Sequence, residues 1–193
     1  MSIPAQAISA INYYLTLSPG RSLTKDIAVG ICAVLYVESQ LNPLAENNSG
    51  TETGGAINPK GSYGLEQLNG PRQQGLLDFA KRLDLNFAAL ETQLHYVLNE
   101  AATSYPEMWA AINKPGMTYQ EFIPIMVNKF EIPANKQAEI DKALAYADAW
   151  YPLISLPTPI PVPAPSNTAV IAQLQDAIGI LQSLLKTLGG TSV

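Results

Sequence analysis

The sequence predicts a mainly α-helical globular domain, then a stiff spacer and one further helix. Three observations predict it. Apolar residues recur at helical spacing through most of residues 5–150, with little period-two alternation. Hydrophobic residues make up 47% of the 193 and charged residues 14%, a balance that builds a core rather than a disordered chain. Proline then falls at every second position from Pro157 to Pro165, which forces extended backbone and marks a boundary. The expected organisation is a domain at 1–152, a Pro-rich linker at 153–168 and an amphipathic helix at 169–193.

The first helix is expected over 5–17, with Ala7, Ile8, Ile11, Tyr14 and Leu15 on one stripe. Ser18-Pro19-Gly20 breaks it. Thr24 caps a second helix that runs to about Leu41, where Pro43 prevents extension. Residues 42–64 carry Asn47-Asn48-Ser49-Gly50, Gly54-Gly55 and Asn58-Pro59-Lys60-Gly61, so they read as a long Gly-rich loop with room for a short hairpin. Loops of that length in compact domains are functional or disordered. Helices return at Arg72–Leu83, Phe87–Thr103, Pro106–Ile112, Tyr119–Phe130 and Asn135–Trp150.

Beyond the spacer, Ile171, Leu174, Ile178, Leu181, Leu185 and Leu188 form a heptad seam, widened by Val170, Ala177 and Leu184. This stripe must be buried. Self-association in a small bundle is the first expectation and docking onto a partner protein the second. A membrane surface is the third, since Lys186 is the only basic residue there. Folding back onto the chain's own domain is equally compatible with the pattern.

Glu38 is the residue with the clearest chemistry. Ile31, Val34 and Leu35 lie seven, four and three positions before it, so they share its helical face. A carboxyl turned toward an apolar face loses hydration, and the negative end of the helix dipole also disfavours its ionisation. Both effects favour a neutral acid able to protonate a leaving oxygen. A Glu near a helix end is ordinarily just solvated; the long loop that follows is what favours the chemical reading.

Other classes are disfavoured. The net charge of −5 and the lack of a Lys/Arg run argue against a nucleic-acid partner. Cys32 is the only cysteine, reads as a small buried hydrophobe, and forbids an intramolecular disulfide. It would have to pair with His95, the only histidine, to make a Cys/His hydrolase. One His with one Cys does not build the usual zinc ligand sets, so no metal or cofactor is expected. No basic residue precedes Arg21, so no signal peptide is expected, and no apolar run is long enough to span a bilayer.

Glu38-Ser39-x-Leu41-Asn42-Pro43, followed by Gly61-Ser62-Tyr63-Gly64-Leu65-Glu66-Gln67-Leu68, resembles the motif order of goose-type lysozymes and lytic transglycosylases. Gly70-Pro71-Arg72, Gln93-Leu94, Leu98-Asn99-Glu100 and Phe130-Glu131-Ile132-Pro133 narrow the resemblance to the phage tail lysozyme family over roughly residues 5–150. Leu68 departs from it, standing where an aromatic is common. The carboxylate of Glu66 at the variable position of Gly-Leu-x-Gln is the second departure.

The resemblance implies a lysozyme-like fold and cleavage of peptidoglycan glycan strands between N-acetylmuramic acid and N-acetylglucosamine. It makes Glu38 the general acid, Ser39 its orienting neighbour, and Tyr63 and Gln67 residues of the sugar groove. Ser39 also reads as a helix-end hydrogen-bonding residue, and Tyr63 fits core as well as groove. Glu131 reads as structural, paired with an Arg such as Arg72, and Trp109 and Trp150 read as core. Glycosidases of the two-carboxylate type need a partner, for which Glu46, Glu52 and Glu66 are the candidates. Without one, the muramic 6-hydroxyl would attack and the enzyme would be a lytic transglycosylase. A non-catalytic virion or wall-binding protein is the alternative of another class. A phage or prophage product of this kind is expected to be made in the host cytoplasm. It would reach the wall on release or as part of the particle, with residues 169–193 as the contact to copies of itself or to a virion protein.

Overall fold

The computed structural model describes residues 2–17, 23–48 and 53–156. The Pro-rich spacer from Pro157, the heptad helix at 169–193 and Glu52 lie outside the described residues. The order of elements is α1 (Ala5–Leu15), α2 (Lys25–Ser39), β1 (Glu46–Asn47), β2 (Ser62–Tyr63), α3 (Pro71–Arg82), α4 (Leu90–Ser104), α5 (Pro106–Ile112), α6 (Tyr119–Met126), a π-helical turn (Val127–Glu131) and α7 (Lys136–Trp150), with a 3-10 turn at Tyr151–Leu153. The domain is mainly helical, as the apolar spacing predicts.

Helix α2 is the centre of the core. Every residue from Ile27 to Leu35 is buried, so it has no solvent-facing side over that stretch, contrary to the single inner face expected from its spacing. It packs against α1, α6 and α7. Gly30 permits the approach of α6, since a β-carbon there would stand 2.9 Å from Phe122 Cδ1. Thr24 caps the helix by accepting a hydrogen bond from Ile27 N–H at 3.3 Å, as predicted. Asp26 fastens the same end, accepting from Tyr119 N–H and from the Tyr151 hydroxyl. Cys32 is fully buried, and burial pushes its thiol pKa up.

Two packing details depart from the expected stripes. In α1 the buried residues are Ala7, Ala10, Ile11, Tyr14 and Leu15, while Ile8, expected on the same stripe, is 39% exposed. Trp150 is buried as expected, whereas Trp109 is 39% exposed on the short helix α5. The segment expected as one helix over Tyr119–Phe130 changes to π geometry at Val127. Pro124 lacks the N–H that would complete the preceding turn, and Ile132 N–H closes the wider turn onto Val127 C=O at 2.9 Å.

The described parts of the long loop, residues 42–48 and 53–64, are folded. Its ends pair as a minimal antiparallel hairpin, Glu46 opposite Tyr63 and Asn47 opposite Ser62. Tyr63 and Leu68 exchange backbone hydrogen bonds at 2.9 Å and tighten the turn between them. Tyr63, Leu68, Leu76, Phe79 and Tyr96 make a second, smaller apolar cluster under this loop. Gln73, fully buried on α3, accepts from Ile57 and Asn58 N–H and donates to Gly61 and Leu68 C=O. Its amide thus makes the four strong hydrogen bonds an amide can make, and all four go to loop backbone.

Candidate active site

Helix α2 ends abruptly beside Glu38. Ser39 is its last residue, and Gln40 and Leu41 follow with φ of 55° and 58°. Two successive left-handed non-glycine residues are costly and persist only where surrounding contacts impose them. Here Leu41 is fully buried, and Asn42 N–H bonds back to Ser39 C=O at 3.0 Å. The turn leaves Glu38 half-buried on the wall of a cleft of about 820 Å³. Ser39, Glu46, Asn47 and Gln67 line the same cleft, together with Tyr36 and Asn42.

The predicted site residues therefore divide into two groups. Glu38, Ser39, Glu46 and Gln67 come together at the cleft. Glu66 and Tyr63 go elsewhere. Tyr63 is 4% exposed and packs into the small cluster, so its ring is core rather than groove wall. Burial, then the nearby Glu46 carboxylate, raises its pKa. Leu68, at the position where an aromatic would be usual, is also buried in that cluster and is no part of an exposed sugar-stacking surface.

Glu66 points away into a buried ionic cluster. Arg72 Nη2 donates to Glu66 Oε2 at 2.9 Å, and Arg72 Nε and Nη2 hold Glu100 in a two-pronged grip at 2.8 and 2.7 Å. The guanidinium also lies 5.0 Å from the centre of the Phe130 ring. Arg72 is thus paired with Glu100 and Glu66, not with Glu131 as the sequence suggests; Glu131 acts on it only through space. One cation faces several carboxyls here. Burial, then the charge of Glu100, holds the Glu66 carboxyl well above the usual carboxylate range, with Arg72 opposing. Glu131 keeps partial exposure as a residue, yet its Oε1 is closed off from solvent, and burial pushes its pKa to about 8.

Ser39 and Gln67 hold the cleft in shape. Ser39 Oγ lies 2.9 Å from Leu65 C=O and 3.1 Å from Leu35 C=O, tying the end of α2 to the loop. Gln67 has φ of 46°, and its side chain explains why. Its Nε2 donates to Gly64 and Ala45 C=O, and its Oε1 accepts from the Ser62 hydroxyl at 2.7 Å.

Three features escape the sequence pattern. Tyr36 lines the cleft with its ring braced edge-on by Tyr146 at 4.7 Å and Trp150 at 5.1 Å. The bonding of Gln73 and Gln93 to loop backbone is the second, and the Arg72 cluster the third. Each depends on at least one partner about 15 or more positions away in the chain. His95 stacks edge-on against Phe79 while Cys32 is sealed in the main core, so the exposed Cys/His pair of a thiol hydrolase is not formed. Among the described residues no group of His, Cys, Asp and Glu is placed to hold a metal ion, and no helix is long and apolar enough to cross a membrane.

The chain belongs to the phage tail lysozyme family, whose sequence profile matches residues 10–154. That match takes in all of α2, the loop and the cleft residues from Tyr36 to Gln67. Membership implicates hydrolytic action on peptidoglycan. No curated protein sequence matches the chain significantly.

Proposed function

We propose that the domain is a muramidase that cleaves the β-1,4 bond between N-acetylmuramic acid and N-acetylglucosamine, with Glu38 as general acid. The observation that carries this reading is the convergence of Glu38, Glu46 and Gln67 on one cleft, while Glu66 is taken up by Arg72. Glu38 sits in the last turn of α2, half-buried on the cleft wall, where its carboxyl faces the space a glycan strand would occupy. It would deliver its proton to the glycosidic oxygen as the bond to the anomeric carbon breaks. Glu46, on the exposed strand β1, remains as the second carboxylate among the described residues lining the cleft. Its carboxylate would either take a proton from the attacking water or bond to the anomeric carbon itself, and the anomer of the product separates the two. The braced ring of Tyr36 offers a flat face for a sugar, and Asn42 and Asn47 offer amides for N-acetyl groups.

Digestion of purified peptidoglycan with mass analysis of the products tests the reading. Fragments with reducing muramic ends are expected. Fragments lighter by one water would instead make the enzyme a lytic transglycosylase, using the muramic 6-hydroxyl in place of Glu46. Absence of cleavage on walls of several chemotypes would point to a non-catalytic virion or wall-binding protein.

A further inference from the structure

The candidate catalytic residues stand on two segments of the cleft that do not share an element: the end of α2, which carries Glu38, and the loop from β1 to Gln67. One side chain from a third element joins them. Gln93, in the first turn of α4 and 3% exposed, accepts from Leu65 N–H at 2.8 Å through Oε1. Its Nε2 donates to Pro43 C=O at 2.8 Å and to Phe87 C=O at 3.0 Å. Pro43 follows directly on the left-handed turn that ends α2, and Leu65 lies two residues before Gln67. The peptide groups of Leu65 are therefore gripped on both sides, the N–H by Gln93 and the C=O by the Ser39 hydroxyl, whose residue adjoins Glu38. Gly64 leaves the space for this contact, since a β-carbon there would stand 2.5 Å from Gln93 Oε1.

We infer that Gln93 is a positioning residue for the reaction: it fixes the loop wall bearing Gln67 and Glu46 against the helix end bearing Glu38, without itself lining the cleft. This rests on the muramidase reading for its catalytic consequence, but the tie itself does not. An amide suits the task because it supplies an acceptor and two donors on one planar group, matching one N–H and two carbonyls. An apolar side chain of similar length would leave these three backbone groups without their side-chain partner, and the buried Leu65 N–H could regain one only if the loop moved.

The test compares wild type with Gln93→Met and Gln93→Glu, using soluble uncross-linked glycan strands. Circular dichroism and thermal unfolding establish that each variant is folded at the assay temperature. Misplacement of reacting groups by about 1 Å costs roughly a hundredfold. Gln93→Met is accordingly expected to lower kcat by about ten- to a hundredfold with KM changed less than about threefold. Gln93→Glu keeps an acceptor and, when its carboxyl is protonated, one donor. Its activity relative to wild type at the same pH is expected to recover as the pH falls. Hydrogen exchange gives a readout independent of activity: amides of residues 61–68 should exchange faster in Gln93→Met while those of α7 do not. A folded Gln93→Met enzyme with wild-type kcat and unchanged exchange at residues 61–68 would overturn the inference. If wild type proves inactive on every wall, the muramidase reading fails while the exchange result still decides whether Gln93 holds the loop.

Discussion

Arg72 Nη2 stands 2.9 Å from Glu66 Oε2, and the same guanidinium holds Glu100 by both carboxylate oxygens. The Glu66 and Glu100 side chains are 2% and 8% exposed, so the cation is their main substitute for water. Removing it leaves two buried carboxyls unpaired. Arg72→Met is expected to destabilise the domain by about 3 kcal/mol or more. Chemical denaturation at neutral pH checks this, and a loss below about 1 kcal/mol would show that the cluster is far better hydrated than its burial implies.

The same cluster sets a pH dependence. The folded pKa values of Glu66 and Glu131 are both raised, so the native state holds protons that the unfolded chain releases. Stability is then fully present below the unfolded carboxyl range and falls as pH rises through the folded values, for Glu131 about 8. The unfolding free energy should decline between about pH 5 and pH 9. Glu131→Gln, which cannot ionise, should flatten that slope. Equal slopes in the two proteins would remove Glu131 as a cause.

Glu46 and Glu66 are expected to respond oppositely to neutralisation. Glu46→Gln removes the carboxylate on the cleft and should lower kcat by about a hundredfold or more on peptidoglycan. Glu66→Gln keeps an oxygen for Arg72 and changes a side chain that does not line the cleft, so activity should stay within about threefold of wild type. The reverse ranking would restore Glu66 as the second carboxylate.

Gln73 is expected to hold the loop's folded shape. Gln73→Leu leaves two N–H groups and two carbonyls of the loop without their partner, at a cost of about 1–3 kcal/mol for each group that stays buried and unpaired. The loop should open and expose residues 53–61 to proteolysis. Limited digestion at a temperature where the helices remain intact measures this, and wild-type resistance of the variant would contradict it.

What could be read from the sequence was local. The Thr24 cap, the ends of α5 and the close of α7 at Trp150 follow from residues within a turn or two of one another. So does the place of Glu38 at the end of α2. The fate of Glu66 depends on Arg72 and on Glu100, 34 positions further on, and no pattern around Gly-Leu-Glu-Gln announces that pairing. Tyr63 and Leu68 are equally ambiguous in sequence, because a two-residue strand has too few positions to show which side faces the core. Gln73 looks like an ordinary polar helix residue, and the Gln93-Leu94 motif carries no hint of its role, until the loop backbone that both bind is in place. The exposed Ile8 and Trp109 show the converse: apolar spacing marks a face but does not say how much of it the neighbouring elements cover.

Whether Glu38 supplies the proton to the leaving sugar is measured by the release of reducing muramic ends from purified peptidoglycan by wild type and Glu38→Gln, with unfolding curves confirming that both are folded. Robust release by wild type and a loss of at least about a hundredfold in the variant are expected. Cleavage by a folded Glu38→Gln protein at a rate near wild type would contradict that role of Glu38.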